Sequence, residues 1–475
     1  MPRNRTIDES GEFQELLLLG DADPTSPLVA QLIAKLRESI RRGRLHPGAR
    51  LPATRSLATQ LGCSRWVVVQ AYEQLTAEGY LTSQTGSGTR VRGVPTSRSQ
   101  PPSLASEERS WRFDFRTGVP DLAQFPRVEW VRATRRALAE ASSSSLDYGD
   151  PSGLGSLRES VADYLGRVRG ADTAAVDIGI TSGSVNALAI VSGALAARGI
   201  FRIGVEDPGW IPLRDPFSGS GVQPVPIPVD GDGLVVDQLI ERDLRAVLVT
   251  PVHQFPVGTV LSAQRRIDLL RWAERVDGLV IEDDYDSEYR YDRGPLGVLQ
   301  GVSPEHVLLI GSLSKSLAPG VRLGWMAGPP SWRETLQQSR RGVDVGVSVI
   351  IQATFGEFLR SGGFERHLRR MRKEYVGRRS ALIDSLATSL PAAITRGIPA
   401  GLHQMVDLVE TPAPALARAC ERRDVRIYPL HRYCLAARPP RGYPESTVVL
   451  GFGAISARRI PAGIAAMAEA SRSRP

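Results

Sequence analysis

The chain of 475 residues has few cysteines, few lysines and no long apolar run, and each shortage excludes a class of protein. The three cysteines, Cys63, Cys420 and Cys434, are odd in number and widely scattered, which argues against a disulfide framework and against a zinc site. No apolar stretch approaches the roughly 18 residues of a membrane span. The first residues are too acidic for a secretory signal, so we expect reduced thiols and a cytoplasmic protein.

The charge of the chain is distributed unevenly. The net charge is +8, and the 42% hydrophobic content is enough for the cores of more than one domain. Residues 27–95 hold ten lysines or arginines against three acids, whereas residues 1–26 hold two arginines against six acids. A small, strongly basic module therefore precedes a large and nearly balanced one. This asymmetry indicates that the small module binds nucleic acid.

Residues 27–92 carry helix and turn signals at the spacing of a helix-turn-helix. Apolar residues at helical intervals predict a first helix over residues 28–40. Pro52 and the hydroxyl residues after it begin a short second helix, and Ser64 is placed to cap a longer third helix. Two strand-like pieces about the glycine turn at residues 86–88 then predict a β wing.

The predicted third helix has two distinct faces. Its core-facing side chains are Val68, Ala71, Tyr72 and Leu75. Its opposite face carries Trp66, Gln70 and Glu73, and Arg65 lies in the first turn. This outward face is the candidate surface for contacting DNA. A three-helix module that binds another protein is the alternative.

These features resemble the winged helix of GntR-type transcription factors. The matching segments are residues 51–58, 62–65, 71–75, 78–81 and 86–89. The resemblance implies that Arg55 and Arg65 bind phosphates, with Trp66, Gln70 and the wing near the bases. The other DNA-binding residues that it implies are Thr54, Ser64, Gly86 and Gly88. Trp66 stands where the family commonly has a small hydroxyl residue.

A connector separates the basic module from the rest of the chain. Residues 93–110 are rich in proline, serine and charged side chains, which predicts a flexible linker. We therefore expect an N-terminal extension over residues 1–26, a DNA-binding domain over residues 27–92 and an effector domain over residues 111–475.

Strand-like and helical patterns alternate in the large domain from residue 175 onward. The strand-like runs are residues 176–181, 201–205, 222–227, 246–250, 279–281 and 307–310. This alternation predicts an α/β domain with a mostly parallel sheet, whose ligands bind at the carboxyl ends of the strands. The expected fold class is multidomain α/β.

Lys315 is one of three lysines in the chain and follows the apolar run that ends at Ile310. A lysine at the end of a buried strand loses its proton at low cost and can act as a nucleophile. Ser312, Ser314 and Arg322 are good partners for a phosphate. This segment resembles the pyridoxal-phosphate lysine motif of fold-type-I aminotransferases. An exposed loop lysine is the plainer alternative.

Other predicted strand ends also carry polar or aromatic side chains. Residues 181–184 follow a strand and open a helix, where amides and hydroxyls can hold a phosphate. Trp210 is placed to stack on a pyridine ring, although a core tryptophan is the alternative. Asp283 can keep a pyridinium nitrogen protonated, and Tyr285 can hydrogen-bond the phenolic oxygen of the ring. An acidic loop that binds a metal would leave Lys315 unexplained, and no metal is expected.

Together with residues 148–153, 250–258, 367–372 and 401–403, these motifs resemble the MocR subfamily of GntR regulators. In that family a winged helix is fused to a fold-type-I aminotransferase-like domain that binds pyridoxal phosphate as a sensor. The resemblance implies that Lys315 forms the Schiff base, with Asp283 at the ring nitrogen and Tyr285 at the ring oxygen. The cofactor-binding residues that it adds are Ser182, Gly183, Ser184, Ser312, Ser314 and Arg322.

The resemblance also implies residues that meet an effector and a second subunit. Arg432 matches the arginine that receives an effector carboxylate. Tyr148 would reach the phosphate site of a neighbouring subunit, so a homodimer is expected. Phe255 replaces the polar asparagine of the Asn-Pro-x-Gly motif of true aminotransferases. This replacement weakens the case for efficient transamination.

The expected function is transcriptional regulation that depends on pyridoxal phosphate. The protein would bind a double-stranded DNA operator and sense an amine or amino acid through aldimine chemistry at Lys315, with little or no turnover. Two rivals remain. One is a working aminotransferase that carries a DNA-binding module, and the other is a regulator whose effector is pyridoxal phosphate itself.

Overall fold

The structure is a computed structural model that describes residues 26–84, 88–92, 110–292, 296–408, 411–440 and 442–472. The chain divides into two units, residues 1–109 and residues 110–475. Apart from Ser26 and Ser110, the predicted N-terminal extension and linker lie outside the described residues.

The first unit has the predicted order of three helices followed by a wing. Its elements are α1 Leu28–Arg41, α2 Thr54–Gln60, α3 Arg65–Ala77, β1 Leu81–Gln84 and β2 Gly88–Val91. The strands β1 and β2 pair in antiparallel register, with Leu81 opposite Val91. Leu36, Val68 and Leu75 are fully buried in the common core. Burial of such side chains contributes about 1.5–3 kcal/mol each, so packing holds these short helices together.

The start of α3 differs from the prediction in one contact. Ser64 occupies the N-cap position, but its side chain makes no capping hydrogen bond. The amide of Val67 instead donates to the backbone carbonyl of Ser64 at 3.1 Å. The predicted cap is therefore correct in position and wrong in its side-chain contact. The predicted apolar face of the helix is confirmed.

The second unit contains a large sheet, a smaller sheet and the helices that cover them. The helices are α4 Arg127–Glu140, α5 Gly155–Arg169, α6 Ser184–Ala197, α7 Asp215–Gly219, α8 Asp237–Glu241, α9 Ala263–Val276, α10 Arg333–Arg340, α11 Val349–Arg360, α12 Gly363–Ser389, α13 Ala413–Glu421 and α14 Ile460–Arg472. The strands are β3 Phe113–Asp114, β4 Ile178–Thr181, β5 Arg202–Asp207, β6 Gln223–Asp230, β7 Gly233–Leu234, β8 Ala246–Val249, β9 Leu279–Asp284, β10 Val307–Ser312, β11 Gly324–Ala327, β12 Ile394–Arg396, β13 His403–Asp407, β14 Val425–Arg426, β15 Tyr428–Pro429 and β16 Thr447–Gly451.

The large sheet has the strand order β4-β11-β10-β9-β8-β5-β6-β7. The five strands from β10 to β6 run parallel, which confirms the mostly parallel sheet predicted from the sequence. The strand β11 is antiparallel to both of its neighbours, and β7 is antiparallel to β6. The smaller sheet is antiparallel in the order β12-β13-β16-β15.

The central strands are buried on both faces, as a parallel sheet covered by helices requires. Ile281 and Ile310 pack on one face with α6, where Val191 is fully buried. Val280 lies on the other face in a cluster with Trp272 of α9. Successive residues of β9 thus face opposite layers, and the polar residues that follow them are left at the edge of the sheet. Within the described residues, no helix has both the length and the apolar content needed to cross a membrane.

Candidate functional site

The strands β5, β8, β9 and β10 lie side by side, and a cavity lies at their carboxyl ends. Parallel strands present these ends together, so residues far apart in sequence meet there. The cavity is open to solvent, and its lining combines charged, hydroxyl and aromatic side chains, as sites for small molecules do. The predicted site residues that line it are Ser184, Trp210, Asp283, Tyr285, Ser312, Ser314, Lys315 and Arg322.

Lys315 presents its amine to this cavity. The Nζ atom donates a hydrogen bond to the backbone carbonyl of Gly118 at 2.6 Å and lies 5.1 Å from the centroid of the Trp210 ring. Gly118 has a positive φ, and a Cβ atom there would come within 3.0 Å of Nζ. Burial lowers the pKa of Lys315, although Asp283 and Asp286 oppose that shift. The lysine is thus held in place and deprotonates more easily than an exposed one.

Asp283 is a buried carboxyl group with one oxygen, Oδ1, unpaired among the described residues. It is 4% exposed at the end of β9, and its Oδ1 atom makes no hydrogen bond to any described residue. Burial raises its pKa to about 7, with Asp284 adding to the shift and Lys315 opposing it. An unsatisfied buried acceptor of this kind fits a ligand that brings a proton donor or a positive charge.

The start of α6 and the nearby Arg322 form a part of the site that suits an anion. Gly183 precedes α6 with a φ of +118°, which residues with a side chain rarely adopt, and a Cβ atom there would lie 3.6 Å from the Arg322 guanidinium. Ser184 begins α6, and the amide of Ser182 donates to Asn186 Oδ1 at 3.0 Å. A helix N-terminus beside an arginine is a favourable setting for a phosphate.

Tyr285 belongs to a buried network with His253, Asp286 and His403, which no single sequence motif indicates. Its hydroxyl donates to the backbone carbonyl of His253 at 2.9 Å and lies 3.2 Å from His253 Nδ1. The same Nδ1 atom lies 2.9 Å from Asp286 Oδ2. Burial and the nearby carboxylates raise the pKa of Tyr285, so its hydroxyl stays protonated at neutral pH.

His403 completes this network from β13. Its ring lies 4.9 Å from that of His253, and burial together with His253 lowers its pKa. One ligand atom from each of His253, Asp286 and His403 lies within 4.8 Å of the others, a spacing that a metal ion could also use. The hydrogen bond from His253 to Asp286 and the contact of His403 Nε2 with the Pro256 carbonyl already engage these groups. The cluster is therefore satisfied without a metal.

A second buried carboxyl group borders the cavity at the end of β5. Glu206 accepts hydrogen bonds from Thr250 Oγ1 at 2.5 Å and from Gln254 Nε2 at 3.3 Å. Burial raises its pKa to about 7, while these hydrogen bonds oppose the shift. Phe255 lies beside the cavity, and its ring packs edge-on against His403. The apolar residue noted in the sequence thus does border the candidate site.

Four predicted residues are not among the described residues that line the cavity: Ser182 and Gly183, which directly precede the lining residue Ser184, and the more distant Tyr148 and Arg432. Tyr148 is 82% exposed, and Arg432 is exposed with its guanidinium carbon 5.0 Å from the centroid of the Tyr428 ring. Neither is among the described residues that line the cavity. Their contacts with a second subunit and with an effector carboxylate stay predictions.

Several residues at the cavity were missed because no local pattern marks them. Thr117 and Gly118 come from the segment before α4, Arg214 from the turn after Trp210, and His403 from the smaller sheet. The available sequence signal concerned His403, which belongs to the segment 401–403 of the family resemblance.

The first unit presents the predicted DNA-binding residues on its surface. Arg55, Ser64 and Arg65 are exposed, and Trp66 is 64% exposed. Arg65 Nε lies 3.4 Å from Thr54 Oγ1, which brings the starts of α2 and α3 together.

The remaining predicted DNA-binding residues are Gln70, which is hydrogen-bonded within α3, and the wing glycines Gly86 and Gly88. The Gln70 amide donates to Glu73 at 3.0 Å, so it is held along α3. Gly88 begins β2 with a positive φ, and Gly86 lies outside the described residues. The individual DNA contacts stay predictions.

Comparison with known proteins matches each of the two units to a protein family. Residues 28–91 match the family described as "Bacterial regulatory proteins, gntR family", and residues 113–442 match "Aminotransferase class I and II". An archaeal alanine:glyoxylate aminotransferase of known crystal structure has a TM-score of 0.69 at 25% identity, covering 77% of this chain and 91% of that one. The aminotransferase domain implies pyridoxal phosphate, and Lys315, Asp283 and Arg322 fit its aldehyde, ring nitrogen and phosphate.

Two regulators match over nearly their whole length. The HTH-type pyridoxine biosynthesis transcriptional regulator PdxR of Corynebacterium glutamicum is 35% identical, covering 92% of this chain and 94% of that protein. The probable rhizopine catabolism regulatory protein MocR of Rhizobium meliloti is 30% identical, covering 94% of each. Both alignments extend over the DNA-binding unit and the aminotransferase-like unit of this chain. The chain therefore belongs to the MocR subfamily of GntR-type transcriptional regulators.

Proposed function

We propose that this regulator senses an amine or amino acid at the cavity of its second unit and changes its affinity for a DNA operator in response. The observation that carries the proposal is the cavity in which Lys315 and the unpartnered Asp283 meet, on a chain that also has a helix-turn-helix. We further propose that it acts in the cytoplasm as a homodimer, in which Tyr148 reaches the second subunit.

We propose that the cofactor is held by the residues predicted from the sequence, most of which line the cavity. Lys315 would bind the aldehyde, Asp283 would pair with the ring nitrogen, Tyr285 would hydrogen-bond the ring oxygen and Trp210 would contact the ring. The phosphate is held by Ser182, Gly183, Ser184, Ser312, Ser314 and Arg322. When bound, pyridoxal phosphate supplies an aldehyde carbon that either Lys315 or the amine of an effector can hold.

The side chains of this protein favour exchange of amines over further reaction. The lowered pKa of Lys315 lets the amine lose its proton, and the carbonyl of Gly118 gives the displaced amine a hydrogen-bonding partner. Asp283 would favour a positive charge on the ring nitrogen of the bound cofactor. Phe255 presents an apolar ring where aminotransferases have an amide, which leaves one side of the cofactor ring without polar stabilisation. The expected result is ready binding of amines and slow turnover.

Binding at the cavity affects DNA only if two states of the protein bind the ligand differently. A ligand shifts such an equilibrium by its difference in affinity for the two states. The segment that holds Gly118 and the β13 residue His403 both reach the cavity from outside the large sheet. We propose that ligand exchange at Lys315 repositions these segments and, through the dimer, the DNA-binding units.

A second candidate effector is pyridoxal phosphate itself. The name of the relative PdxR connects that protein with pyridoxine biosynthesis, and it is 35% identical to this chain. In this alternative, the cofactor-free and cofactor-bound proteins differ in DNA affinity, and amines have no further effect.

One experiment separates the two effectors. The affinity for operator DNA is measured with cofactor-free protein, with cofactor-loaded protein, and with loaded protein plus a panel of amines. Amine sensing predicts a change between the second and third conditions. A change only between the first and second would assign the effector role to the cofactor and refute amine sensing.

The DNA-binding unit gives a prediction of its own. Arg55→Ala and Arg65→Ala should each weaken binding to operator and to unrelated DNA by similar factors, because a phosphate contact carries no sequence information. The slope of log affinity against log salt should fall by about one unit per lost contact. The exposed Arg167 of α5 offers a control, since Arg167→Ala should change neither quantity. Unchanged slopes in both DNA-unit variants would place the DNA contacts elsewhere.

A further inference from the structure

We propose that His367 of α12 is a positioning residue for Lys315, and that Arg370 assists it by holding both the His367 ring and the segment that binds the Lys315 amine. Residues 367–372 carry part of the family resemblance, and the proposed function gives none of them a task. The inference rests on one part of the proposed function, the bond between Lys315 and the aldehyde of the cofactor. It concerns the placement of the lysine and does not depend on which effector is sensed.

His367 holds the backbone directly after Lys315. It is 4% exposed, and its Nε2 atom lies 3.0 Å from the carbonyl oxygen of Ser316. The hydroxyl of Tyr289 also donates to this carbonyl, at the longer distance of 3.3 Å. Because Ser316 follows Lys315 in the chain, these two donors fix the stretch of backbone from which the lysine side chain extends.

Arg370 determines which nitrogen of His367 carries the proton. Its Nη2 atom lies 3.2 Å from His367 Nδ1, and a guanidinium group can only donate. Nδ1 is therefore the acceptor, and the proton of the neutral ring is on Nε2, which donates a hydrogen bond to the Ser316 carbonyl. Burial and the charge of Arg370 lower the pKa of His367 to about 4, so the ring is neutral at pH 7.

Arg370 also contacts the other support of Lys315, which is the Gly118 segment of residues 117–124. The Nη2 atom of Arg370 donates to the carbonyl of Gln124 at 3.1 Å. Gly118 of the same segment accepts the hydrogen bond from Lys315 Nζ at 2.6 Å. Arg370 thus connects the histidine that holds the lysine backbone with the segment that binds the lysine amine.

Two further residues of α12 hold the Gly118 segment. The hydroxyl of Tyr375 accepts a hydrogen bond from the amide of Asp121 at 3.0 Å, and the guanidinium of Arg378 binds the carboxylate of the same residue. Tyr375, Arg378 and His367 all lie on the buried face of α12. A single helix therefore sets the distance between the backbone of Lys315 and the carbonyl that its amine contacts.

The bond to the cofactor depends on this distance. The Lys315 amine forms a C=N bond with the aldehyde carbon and releases water, and a small displacement of either group makes the reactive geometry less frequent. Without His367, the Ser316 carbonyl would keep, among the described residues, the longer hydrogen bond from Tyr289. The lysine should then bond to the aldehyde less favourably, while the cavity continues to bind the ring and the phosphate.

The test compares pyridoxal phosphate with pyridoxine phosphate, in which an alcohol replaces the aldehyde. Calorimetry on the full-length, cofactor-free protein gives both dissociation constants. His367→Leu should weaken binding of the aldehyde by about five- to tenfold, the effect of losing one hydrogen bond. Binding of the alcohol should change by less than about twofold, because this compound forms no bond with Lys315. His367→Gln, which keeps an N–H donor near the Ser316 carbonyl, should bind the aldehyde within about threefold of the wild type.

A double-mutant cycle separates positioning from a general loosening of the fold. In a Lys315→Ala background, His367→Leu should have no further effect on binding of pyridoxal phosphate, because His367 acts through the lysine. Ser385→Ala is the matched control. Ser385 Oγ donates to the Ala381 carbonyl, so this variant also loses a buried hydrogen bond of α12 but touches neither support of Lys315. It should change neither constant.

Arg370→Ala serves as the test if His367→Leu does not fold. Arg370 is exposed, and its loss should weaken binding of the aldehyde selectively, by about two- to fivefold. No loss for the aldehyde, equal losses for both compounds, or the same loss in the Lys315→Ala background would overturn the inference. A Lys315→Ala protein that binds pyridoxal phosphate as tightly as the wild type would instead contradict the role of Lys315 in the proposed function.

Discussion

Lys315→Ala is expected to abolish covalent retention of the cofactor completely. Lys315 is the lysine that lines the cavity, where its amine contacts the Gly118 carbonyl and approaches the ring of Trp210. Borohydride reduction of the loaded wild-type protein should fix one cofactor per chain, and mass spectrometry of its peptides should locate it on Lys315.

Lys373 provides the matched control for this experiment. It is an exposed lysine on α12, so Lys373→Ala should retain the cofactor to the same extent as the wild type. Reduced cofactor attached to the Lys315→Ala protein at wild-type stoichiometry would show that the reactive amine is elsewhere.

Asp283→Asn should lower the affinity for the cofactor by about 10- to 100-fold. The reason is that the substitution removes a charged hydrogen-bond partner of the ring nitrogen, an interaction worth about 1.5–3 kcal/mol. Titration of cofactor-free protein with pyridoxal phosphate, followed by absorbance, gives the two constants. Asp277→Asn, at an exposed position after α9, should leave the affinity unchanged.

Asp283→Asn should also change how the stability of the cofactor-free protein depends on pH. The pKa of Asp283 is raised to about 7 in the folded state, chiefly by burial. The folded protein therefore holds this proton more tightly than the unfolded chain, and its stability falls as the pH rises towards about 7. Asp283→Asn should remove this loss of stability, which thermal unfolding followed between about pH 4 and pH 7 would measure. Equal affinities and equal pH profiles for the variant and the wild type would contradict the assigned role of Asp283.

The sequence predicted those parts of the site that lie at the ends of strands. Asp283 follows the apolar start of β9, and Ser312 and Lys315 follow the apolar run of β10. Since adjacent parallel strands end at one edge, a local pattern was sufficient to bring these residues together. The helix-turn-helix was predicted for a similar reason, because each of its short elements has its own apolar spacing and turn residues.

The remaining residues are brought to the site by long-range contacts that no local pattern specifies. The Gly118 carbonyl that binds the Lys315 amine is 197 positions away in sequence. His403 reaches the cavity from a different sheet, and Arg214 is recognisable only once its neighbours in space are known. The strand β11, Gly324–Ala327, was not predicted either, because it begins with glycine and lacks the run of β-branched residues that marked the predicted strands.

The most direct test of sensing without turnover follows DNA affinity and product formation in one mixture. Cofactor-loaded protein is incubated with operator DNA, an amino acid that changes the cofactor spectrum and a keto-acid acceptor. We predict that DNA affinity changes at the amino-acid concentration that changes the cofactor spectrum. The amino acid formed from the keto-acid acceptor should stay below one equivalent per cofactor. Product at many equivalents per cofactor, with a DNA affinity that is the same with and without every amine tested, would contradict this prediction and identify the protein as an active aminotransferase.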